Sequence, residues 1–237
     1  MNSLKTSIKL LTAVFLISSC TARDTKTNLP LNSSPDSYTY LALGDSYTIG
    51  ESVQENERWP IQLADSLSSK GINVSKPTII AKTGWTTAEL KDGIAQTEIS
   101  GAYDLVSLLI GVNNQYRGYD IDIYRSEFRE LVEQAISFAG GDSSKVFVVS
   151  IPNYGVTPFG IQKGEDRIRT ELLEYDALAE QISSEYGIPF VNITPISEDA
   201  KTNSDLIAED ELHPSGKMYS QWTSKIIPIV TPLLIEQ

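Results

Sequence analysis

Five short, unbroken aliphatic runs, separated by longer stretches of helical periodicity, limit what this chain can fold into. They are "YLALG" (40–44), "PTIIAK" (77–82), "YDLVSLLIG" (103–111), "KVFVVSIP" (145–152) and "IPFVNIT" (188–194). A strand covered on one face alternates apolar and polar residues. Continuous hydrophobicity instead predicts strands covered on both faces, as in a parallel sheet. Between the runs, Trp59, Leu63 and Leu67 recur every fourth residue, and Thr86 followed by Glu89 has the spacing of a helix capping box. Phe128, Leu131, Val132, Ala135, Ile136 and Ala139 form one apolar stripe, ended by Gly140–Gly141. A second stripe, Ile168, Leu172, Tyr175, Ala179 and Ile182, stops before Gly187 and Pro189. A last helix is expected from Pro214, interrupted near Pro228. Five βα units of this kind predict a three-layer α/β/α sandwich around a mainly parallel five-stranded sheet. Ligands of such sheets sit beyond the carboxyl ends of the strands.

The first 37 residues do not share this pattern. Lys5 and Lys9 precede "LLTAVFLISS" (10–19), an apolar segment too short to span a bilayer and placed like the core of a signal peptide. It ends in "ISSC", which resembles the bacterial lipobox, so residues 1–19 read as a lipoprotein signal peptide and Cys20 as the lipidated residue. Residues 20–37 then form the lipidated Cys and a flexible tether rich in Thr, Asn, Ser and Pro, with a coil span of about 20–25 Å. Residues 38–237 suit one domain. The expected location is the bacterial cell envelope, with membrane association through the lipid anchor on either the outer membrane or the outer face of the cytoplasmic membrane.

Charge narrows the partners. The chain has 31 acidic against 19 basic residues, and removal of residues 1–19 would take the net charge from −12 to about −14. Such a surface disfavours nucleic acid as a partner. A single cysteine excludes an intramolecular disulfide, and one histidine without a thiolate set provides no metal cluster. "GDSYTIG" lacks the Gly-Lys-Ser/Thr ending of a phosphate-binding loop.

The chemistry begins where the first run ends. "GDS" puts Ser46 at the carboxyl end of a predicted strand, and a serine hydroxyl becomes a useful nucleophile only beside a base. His213, in "DELHP", is the single histidine, and Pro214 keeps it out of a helix. Asp210, three residues upstream, is close enough to hold the imidazole tautomer, which completes a Ser–His–Asp arrangement. Acyl transfer also requires donors for a developing oxyanion. Gly84 follows the second run and can present a backbone N–H, and Asn113 in "GVNN" follows the third and offers a side-chain amide. Asp45 is expected to shape the turn or cap backbone N–H groups. Trp85, Tyr116, Arg117, Tyr119 and "PNYGVTPFG" (152–160) fall on the same rim, where either substrate contact or packing would suit them.

Taken together, "GDSYT", Gly84, "GVNN" and "DELHP" resemble the sequence blocks of the SGNH hydrolase family, the GDSL esterases and lipases, in order over most of residues 38–230. The resemblance implies a flavodoxin-like sandwich, the SGNH hydrolase fold. It also implies a serine esterase with Ser46 as nucleophile and oxyanion donor, Gly84 and Asn113 as the other donors, His213 as base and Asp210 as its orienting acid. Tyr47 in place of Leu, and Asn114 in place of the usual Asp, are departures that remove none of these groups. The absence of a G-x-S-x-G elbow argues against the α/β-hydrolase fold. The expected substrates are short-chain acyl esters, acetylated carbohydrate or lysophospholipid, acted on by a monomer without a cofactor. A non-catalytic envelope lipoprotein that keeps the fold for binding is the rival, and a flavodoxin-like nucleotide binder is a third reading that the fold alone permits.

Overall fold

The computed structural model describes residues 37–235, so the predicted signal peptide, Cys20 and all but the last residue of the tether lie outside the described residues. Five parallel strands form one sheet in the order β2-β1-β3-β4-β5. They are β1 (Tyr40–Gly44), β2 (Thr78–Ala81), β3 (Leu105–Leu109), β4 (Val146–Val149) and β5 (Phe190–Val191). The all-parallel pairing matches the expected sandwich, the fold of the SGNH hydrolases. Leu43 is level with Ile80 on one side and Leu108 on the other, and β1, β3 and β4 are buried along their whole length. Strand order reverses between β1 and β3, and a crevice opens at such a point.

Helix α2 (Trp59–Ser69) packs against α8 (Gly216–Ile235) in one helical layer. On the other side α3 (Thr87–Ala95) packs on α5 (Ile121–Phe138), which packs on α6 (Pro158–Glu185). The apolar stripes read from the sequence are the buried faces: Trp59, Leu63 and Leu67 in α2, Phe128, Leu131 and Val132 in α5, Ile168, Leu172 and Ile182 in α6. The capping box forms as expected, with Thr86 Oγ1 accepting from Glu89 N–H and Glu89 accepting from Thr86 N–H. Two one-turn helices, α1 (Ser46–Ile49) and α4 (Val112–Tyr116), follow β1 and β3 directly, and α7 (Thr194–Glu198) follows β5.

Three elements differ from expectation. The last helix starts at Gly216 rather than Pro214, because Pro214 bridges to Ile207 in an extended conformation and the Ser215 hydroxyl accepts from Met218 N–H. It also runs through Pro228 and Pro232 without interruption. Ile226, Val230 and Leu234, one turn apart and buried, hold it against the core despite the missing N–H groups. Helix α6 is broken at Gly164 (φ 107°, ψ 84°), which sets its first turn and a half, carrying Phe159, apart from the rest. Strand β5 is only two residues long. Ser150 Oγ takes the N–H groups of Ile193 and Thr194, so a side chain replaces the ladder there.

Asp176 of α6 ties β4 to α7: its carboxyl accepts from Ile151 N–H at 2.8 Å and lies 3.0 Å from Thr194 Oγ1. Burial pushes this carboxyl up to about 7, against the opposing effect of those two bonds. A group that keeps its proton in the folded state but loses it near 4 when unfolded favours folding fully only at low pH. That contribution declines as pH rises from about 4 to about 7. Asp176→Asn, which resembles the neutral acid, should therefore lose less stability than the wild type between pH 4 and pH 8, by up to about 4 kcal/mol in urea unfolding. An unchanged pH dependence would show that Asp176 does not titrate in this range.

Candidate functional site

Gly44 closes β1 at a point with no room for a side chain: a Cβ there would lie 2.5 Å from the Leu109 carbonyl of β3 and 2.2 Å from Thr48 Oγ1. This close approach lets the chain turn straight from strand into α1. Asp45 caps that helix, its Oδ1 accepting from Tyr47 N–H at 3.0 Å, and the carboxyl is fully buried. Burial pushes it up to about 7, partly countered by the bond from Tyr47. Asp45 is thus a cap, as expected. Ser46 is the first residue of α1, where a backbone N–H has no partner within the helix.

Ser46, Gly84, Asn113 and His213 all line one cavity of about 220 Å³. They come from four segments separated by up to 167 residues, and parallel strands bring them together by delivering each loop to the same edge. Val112, Tyr116, Tyr154, Phe159 and Leu212 form its apolar wall. Tyr116 lies within 6.1 Å of the Phe159 ring and 6.4 Å of the Tyr154 ring, centroid to centroid, so this wall is an aromatic cluster. The His213 ring meets Tyr47 edge-on at 5.7 Å and is buried.

Asp210 stands 2.6 Å from His213 Nδ1 through Oδ2, while its Oδ1 accepts the N–H groups of Leu212 and His213 at 3.0 and 2.9 Å. Burial by itself would raise this carboxyl. Hydrogen bonds from Ser52, from the His213 ring and from the two backbone N–H groups outweigh it and lower the group to about 2. Asp210 is therefore a carboxylate at any pH above about 3. A carboxylate on Nδ1 leaves Nε2 free to take a proton.

The loop after β2 is pinned from two sides. Gly84 adopts φ 85°, a conformation that favours glycine, and its carbonyl accepts from Arg117 Nη2 at 2.7 Å. The Trp85 carbonyl accepts from Asn113 Nδ2 at 2.9 Å, one of the two hydrogens that amide carries. Asn114 is fully buried, accepts from Thr87 N–H and donates to Thr87 Oγ1, so it fastens α4 to the start of α3. From the other side Thr83 Oγ1 donates to Glu51, just beyond α1.

These contacts assign places to the rim residues that sequence left open. The Trp85 ring lies over Gly93 of α3, where a Cβ would come within 2.1 Å of it, so Trp85 is a packing residue. Arg117 holds Gly84 and Glu89. Tyr116 does line the cavity, whereas Tyr119 is exposed outside it. Ser52, Thr83 and Glu51 were not singled out by sequence, since a turn serine or threonine carries no signal of its own. Tyr154 and Phe159 came only as part of a loop.

Comparison with known proteins follows the same lines. The family model described as "GDSL-like Lipase/Acylhydrolase family" matches residues 42–221. No curated protein matches the sequence significantly. Among solved structures, a lipase/acylhydrolase from Enterococcus faecalis is similar with a TM-score of 0.63 at 19% identity, over 84% of this chain and 98% of that one. The psychrotrophic esterase EstA from a Pseudoalteromonas species gives 0.60 at 21% identity, over 83% and 98%. An acetyl xylan esterase from Geobacillus stearothermophilus gives 0.60 at 19%, over 83% and 94%. At these identities the structures share the fold.

Proposed function

The chain belongs to the GDSL-like lipase/acylhydrolase family and is an ester hydrolase of the SGNH type, and on that premise we propose that it cleaves short-chain acyl esters through an acyl-enzyme on Ser46. In this reading His213 Nε2 takes the Ser46 proton as Oγ attacks the carbonyl carbon. The carbonyl π electrons move to oxygen, and the resulting anion is met by the N–H groups of Ser46 and Gly84 and by the second hydrogen of the Asn113 amide. Collapse expels the alcohol, protonated by His213. Water, deprotonated by the same imidazole, then releases the acid and restores Ser46. The observation that carries the reading is that Ser46 and His213 face one cavity while Asp210 holds Nδ1 at 2.6 Å.

Cavity size supports the choice of acyl group. About 220 Å³ is the space of roughly seven waters, lined on one side by aromatic rings. That space takes acetyl to butyryl groups, including acetyl groups on carbohydrate, and is the basis of the short-chain assignment. Anchoring at the cell envelope through Cys20 belongs to the same reading and rests on residues 1–20. Loss of palmitate incorporation in Cys20→Ala cells tests it.

The test of function is a fluorophosphonate probe together with an ester panel; the Pseudoalteromonas esterase of the same fold was itself crystallised inhibited by a phosphonate. Labelling at Ser46 is expected, with kcat/KM falling at least roughly tenfold between butyryl and octanoyl esters. Protein that neither labels nor turns over any ester would refute the proposal. Equal turnover of octanoyl esters would refute the short-chain assignment alone.

A further inference from the structure

Among the described residues, only two that are not glycine adopt positive φ: Ser52 at 64° and Glu211 at 61°. They flank one carboxylate. Glu211 follows Asp210 in the chain, and Ser52 Oγ donates to Asp210 Oδ2 at 2.6 Å from 158 residues away. The other three hydrogen bonds to Asp210 come from its own turn, through Leu212 N–H, His213 N–H and His213 Nδ1. Among the described residues, Ser52 is thus the one donor to the Asp210 carboxylate from another part of the fold, whereas the backbone of the Asp210 turn is also tied to α6 through Phe159 N–H and the Glu211 carbonyl at 3.3 Å. Ser52 belongs to the turn leaving α1, where Gly50 and Glu51 N–H both donate to the Ser46 carbonyl at 3.0 Å.

A left-handed serine is strained by about 1 kcal/mol, and glycine would take the same turn without strain, as Gly50 does at φ 72°. What glycine lacks is the hydroxyl. Strained residues persist where surrounding structure holds them, and they gather at functional sites. Asp210 is partly open to water, and with Oδ1 held by two backbone N–H groups, Ser52 is what limits the swing of Oδ2 about that anchor and so the direction in which it meets the imidazole. Resting on the acyl-enzyme reading, we propose that Ser52 is a positioning residue, whose hydroxyl fixes the Asp210 carboxylate and through it the His213 ring with respect to Ser46.

Two substitutions separate this role from a structural one. Ser52→Ala removes the hydroxyl and keeps the strain, whereas Ser52→Gly removes both. Both variants should lower kcat on p-nitrophenyl acetate by about fivefold to tenfold, the effect of one hydrogen bond to a charged, partly exposed group, with KM within about twofold of wild type. Their melting temperatures should diverge, Ser52→Gly at or above wild type and Ser52→Ala at or below it. Wild-type kcat in both variants, or a loss confined to the variant that melts lower, would overturn the proposal. Wild-type protein that does not label at Ser46 defeats the acyl-enzyme reading and this proposal with it. Normal labelling beside unimpaired Ser52 variants defeats this proposal alone.

Discussion

Ser46→Ala protein is expected to fold normally and to lose hydrolysis of p-nitrophenyl acetate by roughly four orders of magnitude or more. The fold should be indifferent, because Asp45 rather than Ser46 caps α1, and the buried Gly44–Tyr47 turn is shaped by backbone and by the Asp45 carboxyl. Activity should not be indifferent. On the proposed mechanism the attacking atom is gone, and the imidazole and the N–H groups that remain support only the residual catalysis that outlasts loss of a nucleophile. The measurement is single-turnover hydrolysis beside circular dichroism and a melting curve. Turnover within tenfold of wild type, in protein purified from a host without a background esterase, would rule out Ser46 as the nucleophile.

Asp210→Asn should have the second-largest effect, a loss of about three to four orders of magnitude in kcat. Its Oδ1 accepts two backbone N–H groups, which will hold the amide oxygen of asparagine in that place. The amide nitrogen then faces His213 Nδ1 and Ser52 Oγ, at the position where Oδ2 accepted from both. A donor there makes Nδ1 an acceptor and puts the imidazole proton on Nε2, the tautomer that cannot take a proton from serine. The geometry survives while the chemistry stops, so fluorophosphonate labelling should slow by a similar factor in a protein of near-normal stability. A loss below tenfold would mean that Asp210 does not set the tautomer.

Much of this molecule could be read from residues in order. The run "YLALG" became β1 residue for residue, the stripes became the buried faces of α2, α5 and α6, and the Thr86–Glu89 spacing became a capping box. These features are local: apolar periodicity and a polar side chain three residues from a helix start act within a few residues of chain. Errors arose where a distant partner intervened. Strand β5 is shortened by the hydroxyl of Ser150, forty-odd residues away, and Pro214 is kept extended by its bridge to Ile207.

The candidate site divides in the same way. Ser46, Gly84, Asn113, Asp210 and His213 could be named because each is a chemically distinctive residue just after a predicted strand or before a predicted helix. Residue order alone supplied the candidate groups, the sheet that would carry them and the order in which they come. Only tertiary structure decided that four of them share one cavity, that Trp85 packs on a helix while Arg117 grips the Gly84 carbonyl, and that a serine in a strained turn reaches Asp210. The reason is physical: periodicity and turn chemistry are properties of neighbouring residues. Which side chain fills a space or completes a hydrogen bond depends on segments that meet only once the sheet has closed.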